Sequence, residues 1–246
     1  MTVRTLATHL AATSILLGCA GRHDAPLTPL PTVQAVPDEQ ALQILADRAR
    51  SIKSVSAQCA IILTDSRGET VRLEGAVAAE LPTRARFRAW KFDRTVLDIL
   101  LTPDRTLVFS AQDAPRASLD AAVAGLRRGW MIVLCGEPSP GFFRSATIQQ
   151  ATAPGTLLAR GDSPAALAQI DRATLTLRRL IFENQSAAAP FATFDQYTLI
   201  DTIPFATAVS LQSESGGIML RLHEIELNSP LATEAFTPHP GAVERP

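Results

Sequence analysis

The chain has 246 residues, is 46% hydrophobic and carries a formal net charge of −1. A nearly neutral chain has no strong field to recruit nucleic acid or an acidic membrane surface, so neither is expected as an electrostatic partner. Three cysteines exclude a dense disulfide scaffold, and residues 19–246 suffice for one large all-β domain or two small ones.

Residues 1–18 carry one charge, Arg4, then a mainly Ala, Leu, Ile and Thr stretch from Leu6 to Leu17 and the small Gly18. A basic start, a short apolar middle and a small residue at the cut are the order of an export signal, and the apolar part falls short of the roughly 20 residues that span a bilayer. Leu16-Leu17-Gly18-Cys19 resembles the lipobox of bacterial lipoproteins, which implies lipidation at Cys19 and cleavage before it; a plain signal with an incidental cysteine is the alternative. More than one acyl chain on one residue gives stable anchoring. Residues 19–37, with Pro26, Pro29, Pro31 and Pro37 and no apolar period, read as an extended tether. Ala20 after the cysteine, rather than Asp, resembles an outer-membrane address facing the periplasm.

A folded domain is expected over 38–246. "DEQALQILADRARSIK" places Leu42, Ile44, Leu45, Ala49 and Ile52 at helical spacing, with Asp38 as expected N-cap. The period then becomes two-fold. "VSAQCAIILT" and "ETVRLEGAVAAE" read as strands around an Asp65–Gly68 turn, the second with Val71, Leu73, Gly75, Val77 and Ala79 on one face. In "TRARFRAWK", Ala85, Phe87 and Ala89 alternate with Arg84, Arg86 and Arg88, read as a solvated basic face that lipid headgroups could also use. "TVLDILLT" and "TLVFSA" form a hairpin around Pro103-Asp104-Arg105, with Leu97, Ile99 and Leu101 on one face of the first and Leu107 and Phe109 on one face of the second.

"SLDAAVAGLRRGW" is the second expected helix. Ser118 would cap it, Leu119, Ala122, Val123 and Leu126 follow the helical period, and Arg127 and Arg128 would close it before Gly129. "MIVLCGEPSPG" is an apolar run broken by prolines, and everything from Phe142 onward reads as strand and turn. About eleven strands with short links predict a mainly β (α+β) protein: an incomplete antiparallel β-barrel or strongly curved sheet in chain order, with an N-terminal helix and a lid helix. A two-sheet sandwich is the competing arrangement.

Little in the sequence points to catalysis. His223 and Glu224 are neighbours on opposite strand faces and cannot share a metal without special geometry, so no metal or other cofactor is expected. Asp93, Asp98 and Asp104 read as solvated loop ends. There is no nucleophile elbow, paired-histidine zinc motif, phosphate loop or Cys-x-x-Cys, and the chain is expected not to be an enzyme. Cys59 lies in an apolar strand pattern, where a buried free thiol is the usual outcome, although pairing with Cys135 stays open.

Three segments carry a family resemblance: "LQILADRARSIKSVSAQCAIIL", "GAVAAELPTRARFRA" and the ending "IMLRLHEIELNSPLATEAFTPHPGAV". Together with one helix, meandering strands and a helical lid after the fifth strand, they resemble the LolA/LolB-like group of bacterial lipoprotein carriers and receptors. The resemblance implies an incomplete barrel enclosing an apolar cavity for lipid or lipoprotein acyl chains. A lipid-anchored member is more like the receptor, which engages membrane through an exposed apolar loop in its early hairpins; here the Pro103-Asp104-Arg105 turn is polar.

The sequence thus leads to a non-catalytic envelope lipoprotein, anchored through Cys19, that binds acyl chains. Leu73, Val77, Phe87, Leu97, Ile99, Phe109 and Ile148 are the expected inward positions, and Val123, Leu126 and Trp130 the lid. A scaffold lipoprotein holding an envelope protein partner is the alternative. An envelope hydrolase, with His223 gathered beside a carboxylate and a hydroxyl, is a more distant one.

Overall fold

The structure, a computed structural model, describes residues 29–111, 116–183 and 190–245. The expected signal segment and Cys19 lie outside the described residues, as does the side chain of Ser118.

Helix α1 (Asp38–Ser51) buries Ala41, Leu42, Leu45, Ala46 and Ala49. Asp38 is its first helical residue rather than its cap; Pro37 holds that place and its carbonyl accepts from Ala41 N–H. Asp38 instead pairs with Arg172 at 2.6 Å. Asp38 and Glu39 at one end and Arg48 and Arg50 at the other suit the helix dipole. Within the expected tether, Val33 N–H donates to Ala173 O at 2.6 Å, and Val33 and Val36 pack on the core.

Among the described residues, thirteen strands form one antiparallel sheet, curved and not closed. The first meander is β1 (Ser54–Asp65), β2 (Thr70–Glu80), β3 (Arg84–Lys91), β4 (Arg94–Leu101) and β5 (Thr106–Ser110). Helix α2 (Arg116–Cys135) and the short α3 (Phe142–Ser145) then lead to the far edge. The second meander is β6 (Thr147–Gln149), β7 (Thr156–Asp162), β8 (Ala165–Asp171), β9 (Thr176–Phe182), β10 (Phe191–Ile200), β11 (Ile203–Ser213) and β12 (Gly216–Leu227). A last strand, β13 (Val243–Arg245), pairs with β5. The spatial order is β13-β5-β4-β3-β2-β1-β12-β11-β10-β9-β8-β7-β6, so β1 joins β12 at the centre and the expectation of a single run in chain order is corrected. β6 and β13 are three residues each, too short to show a period in sequence.

Helix α2 is longer than expected: it runs through "MIVLC", burying Ile132, Val133 and Leu134. Two β-branched residues favour strand locally, but a helix apolar all round is stable once the fold buries it. "FFRS" is the turn of helix α3 rather than strand. Phe142 seats on β7 where a Cβ at Gly161 would lie 2.3 Å from its ring. In β12, Ile218, Leu220 and Leu222 are buried, and then the phase changes: Gln58 opposes His223, but Ser56 opposes Glu226. Glu224, at φ 49°, sits in this bulge, and the extra residue returns Leu227 to the core opposite Val55.

The outer face of β3–β5 is covered by the C-terminal segment. Arg86 and Asp98 are both buried there, and Arg86 Nη1 donates to Ala235 O at 3.0 Å. Arg84 lies 4.0 Å over the Phe236 ring and also pairs with Glu80. Arg84 and Arg86 therefore fasten the tail, and Asp98 is no solvated loop end. Asn228, at φ 58°, ties the end of β12 to the α1–β1 junction, accepting from Lys53 N–H at 2.7 Å and donating to Ser51 O at 3.0 Å. Asn tolerates this left-handed backbone better than most residues.

Candidate functional site

The inner face of the sheet carries the core, and α2 lies across it on β1, β11 and β12. Gly129 sets its closeness: a Cβ there would stand 3.0 Å from Leu211 Cδ1, whereas one at Gly125 would make an ordinary contact at 3.7 Å from Ile218 Cγ2. A glycine inside a helix costs about 1 kcal/mol relative to alanine, so the value of Gly129 lies in tertiary approach rather than in helix formation.

Beside this contact runs a mainly apolar groove of about 290 Å³, walled by Gly125 and Gly129 of α2, Phe182 of β9, Phe191 of β10, and Leu211. That is the lower end of the range for small-ligand sites, roughly 300–1,000 Å³. The Arg179 guanidinium stacks 4.2 Å from the Phe191 ring and fixes that wall. Pro164, Pro190 and Gly216 also line it, and they belong to the β7–β8, β9–β10 and β11–β12 connections. Antiparallel pairing of Asp65 with Gly216, and of Glu74 with Trp90, puts those connections at the same end of the sheet as the β3–β4 turn. Val33 docks at the opposite end, on the β8–β9 turn.

The β3–β4 turn carries Phe92, 88% exposed, with positive φ at both Phe92 and Asp93. Two such residues make the tight hairpin turn that matches strand twist. Phenylalanine is a poor choice there on steric grounds, and it leaves an aromatic ring in water beside Lys91 and Arg94. The exposed apolar tip thus stands on the β3–β4 turn and not at the polar Pro103-Asp104-Arg105 turn between β4 and β5.

Among the expected inward residues, Leu73, Val77, Phe87, Leu97 and Ile99 are buried in one core together with Leu126 and Trp130 of α2, and none of the five borders the groove. Ile148 is half-buried on the edge strand β6, beside a recess against Leu42 and Phe143. Phe109 is not inward. Ile99 pairs with Val108, so Val108 faces the core, while Phe109 faces out and stacks on His239 at 3.6 Å between ring centres. Val123 is half-buried on α2. Two glycines four residues apart inside an apolar helical run were the available signal for the groove. Phe182 and Phe191 gave none, because only the folded sheet makes them neighbours.

At the end of α2, Arg48, Tyr197 and Cys135 border a small recess of about 50 Å³, room for little more than water. Arg48 donates to Leu175 O and Tyr197 to Leu177 O, each at 2.6 Å. Burial raises the Tyr197 pKa, which keeps its donating hydroxyl protonated, and lowers that of Arg48. Glu137 lies beyond the helix end, 2% exposed, and burial raises its carboxyl above the usual range although Phe143 N–H donates to it. Cys59 and Cys135 are both free thiols, pushed up to about 12 by burial, which makes them poor nucleophiles. His223 faces out on β12, opposite Gln58 and away from the groove. Among the described residues no cluster of metal-ligating side chains forms, and no helix is long and apolar enough to cross a membrane.

No protein-family model matches the chain, and no curated protein matches it in sequence. Solved structures do match in three dimensions. A domain described as an outer membrane lipoprotein-sorting protein, from Vibrio parahaemolyticus, aligns with TM-score 0.54 at 12% identity, over 81% of this chain and 97% of its own. A LolA superfamily protein from Nitrosomonas europaea aligns with TM-score 0.54 at 14% identity, over 82% and 98%. A DUF1329 family protein from Desulfovibrio piger aligns with TM-score 0.55 at 10% identity, over 81% and 95%. The class this defines is an open, curved antiparallel sheet with helices across its inner face. It is the fold of the LolA superfamily structures, and at these identities the likeness is one of fold.

Proposed function

We propose that this protein is a non-enzymatic lipoprotein of the cell envelope, anchored through Cys19 to the outer membrane and facing the periplasm, that binds a lipid or lipoprotein acyl chain between α2 and the sheet. The observation that carries this reading is the apolar groove along the glycine face of α2. α2 makes no sheet hydrogen bonds, so an acyl chain can replace its contacts without breaking the sheet ladder. Each CH₂ removed from water contributes about 0.8 kcal/mol, enough to drive binding without polar recognition.

Phe92 supports the membrane side of the proposal. Its exposed ring and the basic Lys91 and Arg94 stand at the end of the sheet where the groove opens, so cargo would enter from the bilayer surface that Phe92 touches.

Mass spectrometry of the purified, organic-extracted protein tests the reading, together with displacement of a fluorescent fatty acid. Co-purified acyl lipid and competitive displacement are expected; their joint absence overturns acyl binding. The Cys19→Ala variant is expected to leave the membrane fraction, and its retention there overturns the anchor.

A further inference from the structure

The opposite flank of α2 is also unfilled. Asp120, Val123, Ala124 and Arg127 fall at the i, i+3, i+4 and i+7 positions of one helix face, and that face borders a cleft of about 540 Å³ against β5 and β13. Val108 and Leu119 form apolar wall. Arg245 closes it from the sheet edge: it pairs with Thr106, and Val243 pairs with Val108, so both share the inward side of β5. Val243 is 56% exposed, an apolar side chain left in water on that same side.

Arg127 lies in mid-helix, well before Cys135, where no helix end calls for a cation. Neither Arg127 nor Arg245 has a hydrogen-bond or ion-pair partner among the described residues. The one acid in the lining, Asp120, sits two turns from Arg127, about 10 Å along the axis. Two guanidinium groups against one carboxylate, with an apolar wall, match an amphiphile with an anionic head.

We propose that this cleft is a second site, separate from the glycine groove, that binds an amphiphile with a phosphate head, its head held by Arg127 and Arg245 and its chain against Val108, Leu119 and Val123. A guanidinium offers paired donors matched to phosphate oxygens, and a neutral head on a chain of equal length gains no such charge-assisted bonds.

Calorimetric titration with dodecyl phosphate, dodecyl maltoside and inorganic phosphate, each below any micelle concentration, tests this. Dodecyl phosphate is expected to bind at least about tenfold more tightly than either of the others, and Arg127→Gln with Arg245→Gln to remove that preference. Both arginines are exposed, so the variant is expected to keep the wild-type urea midpoint. Equal affinity for the phosphate and maltoside amphiphiles, or a preference that survives the double substitution, overturns the site. Inorganic phosphate binding as well as dodecyl phosphate overturns the role of the apolar wall. If dodecyl phosphate shows no preference while the fluorescent fatty acid still binds, this site falls and the acyl groove stands.

Discussion

Arg86 grips Asp98 diagonally across β3 and β4. The register partner of Asp98 is Arg88, yet Arg86, two pairs along on the same face, makes the two-pronged contact, Nε to Oδ1 at 2.8 Å and Nη2 to Oδ2 at 2.6 Å. Arg88 stays at 3.6 Å as an outer partner. The tail segment that ends in Phe236 covers the pair, and its carbonyls accept the remaining Arg86 donors.

Removing one member of a buried pair strands the other, at a cost of about 3–5 kcal/mol, whereas removing both is far milder. Asp98→Leu is therefore expected to lower the urea-unfolding free energy by that amount, and Arg86→Met with Asp98→Leu to recover part of it. The single variant should also be cut sooner by protease within residues 228–245. A double variant no better than the single would show that the pair does not act as a unit.

Gly125→Leu places a side chain in the groove while replacing a poor helix former, a gain of up to about 1 kcal/mol in helix propensity. Thermal unfolding is expected near or above the wild-type temperature, with fluorescent fatty-acid displacement reduced at least about tenfold. Unchanged displacement would move the acyl site elsewhere.

Phe92→Asp removes the exposed ring and adds a negative charge at a position without packing. Unfolding should shift by no more than about 0.5 kcal/mol, as for surface substitutions in general. Binding of the soluble domain to phospholipid vesicles, measured by co-flotation, is expected to fall several-fold. Equal flotation of both forms would remove Phe92 from membrane contact.

Asp171 organises the β8–β9 turn on which Val33 docks. Burial alone would raise its pKa, but the Arg178 side chain at 2.9 Å and the Thr174 backbone and hydroxyl outweigh burial and hold the carboxyl below its usual range. A depressed folded-state pKa adds stability above the unfolded value, near 4, that is lost as pH falls through the folded one. Asp171→Asn is therefore expected to lower the melting temperature at pH 7, by about 1–2 kcal/mol of stability, and to converge on wild type as pH falls through the depressed folded-state pKa. A pH-independent difference would assign the effect to turn geometry alone.

Local pattern in the sequence was enough to place α1, the long strands and their inward faces through β4, because those signals are periodicities of 3.6 and 2 that survive in any fold burying one face. The free burial of Cys59 followed the same rule. Tertiary structure decided the rest. Which face Phe109 shows depends on the β4–β5 register, one residue of which exchanges inside for outside. The return of Leu227 to the core depends on the Glu224 bulge, and the helical state of "MIVLC" on burial from every side. Asp98 read as solvated because its cover comes from residues more than a hundred positions away. The central pairing of β1 with β12, and the groove and cleft either side of α2, likewise join segments remote in the chain. Sequence patterning specifies which side chains avoid water; only the closed set of pairings specifies which of them meet, and where room is left between them.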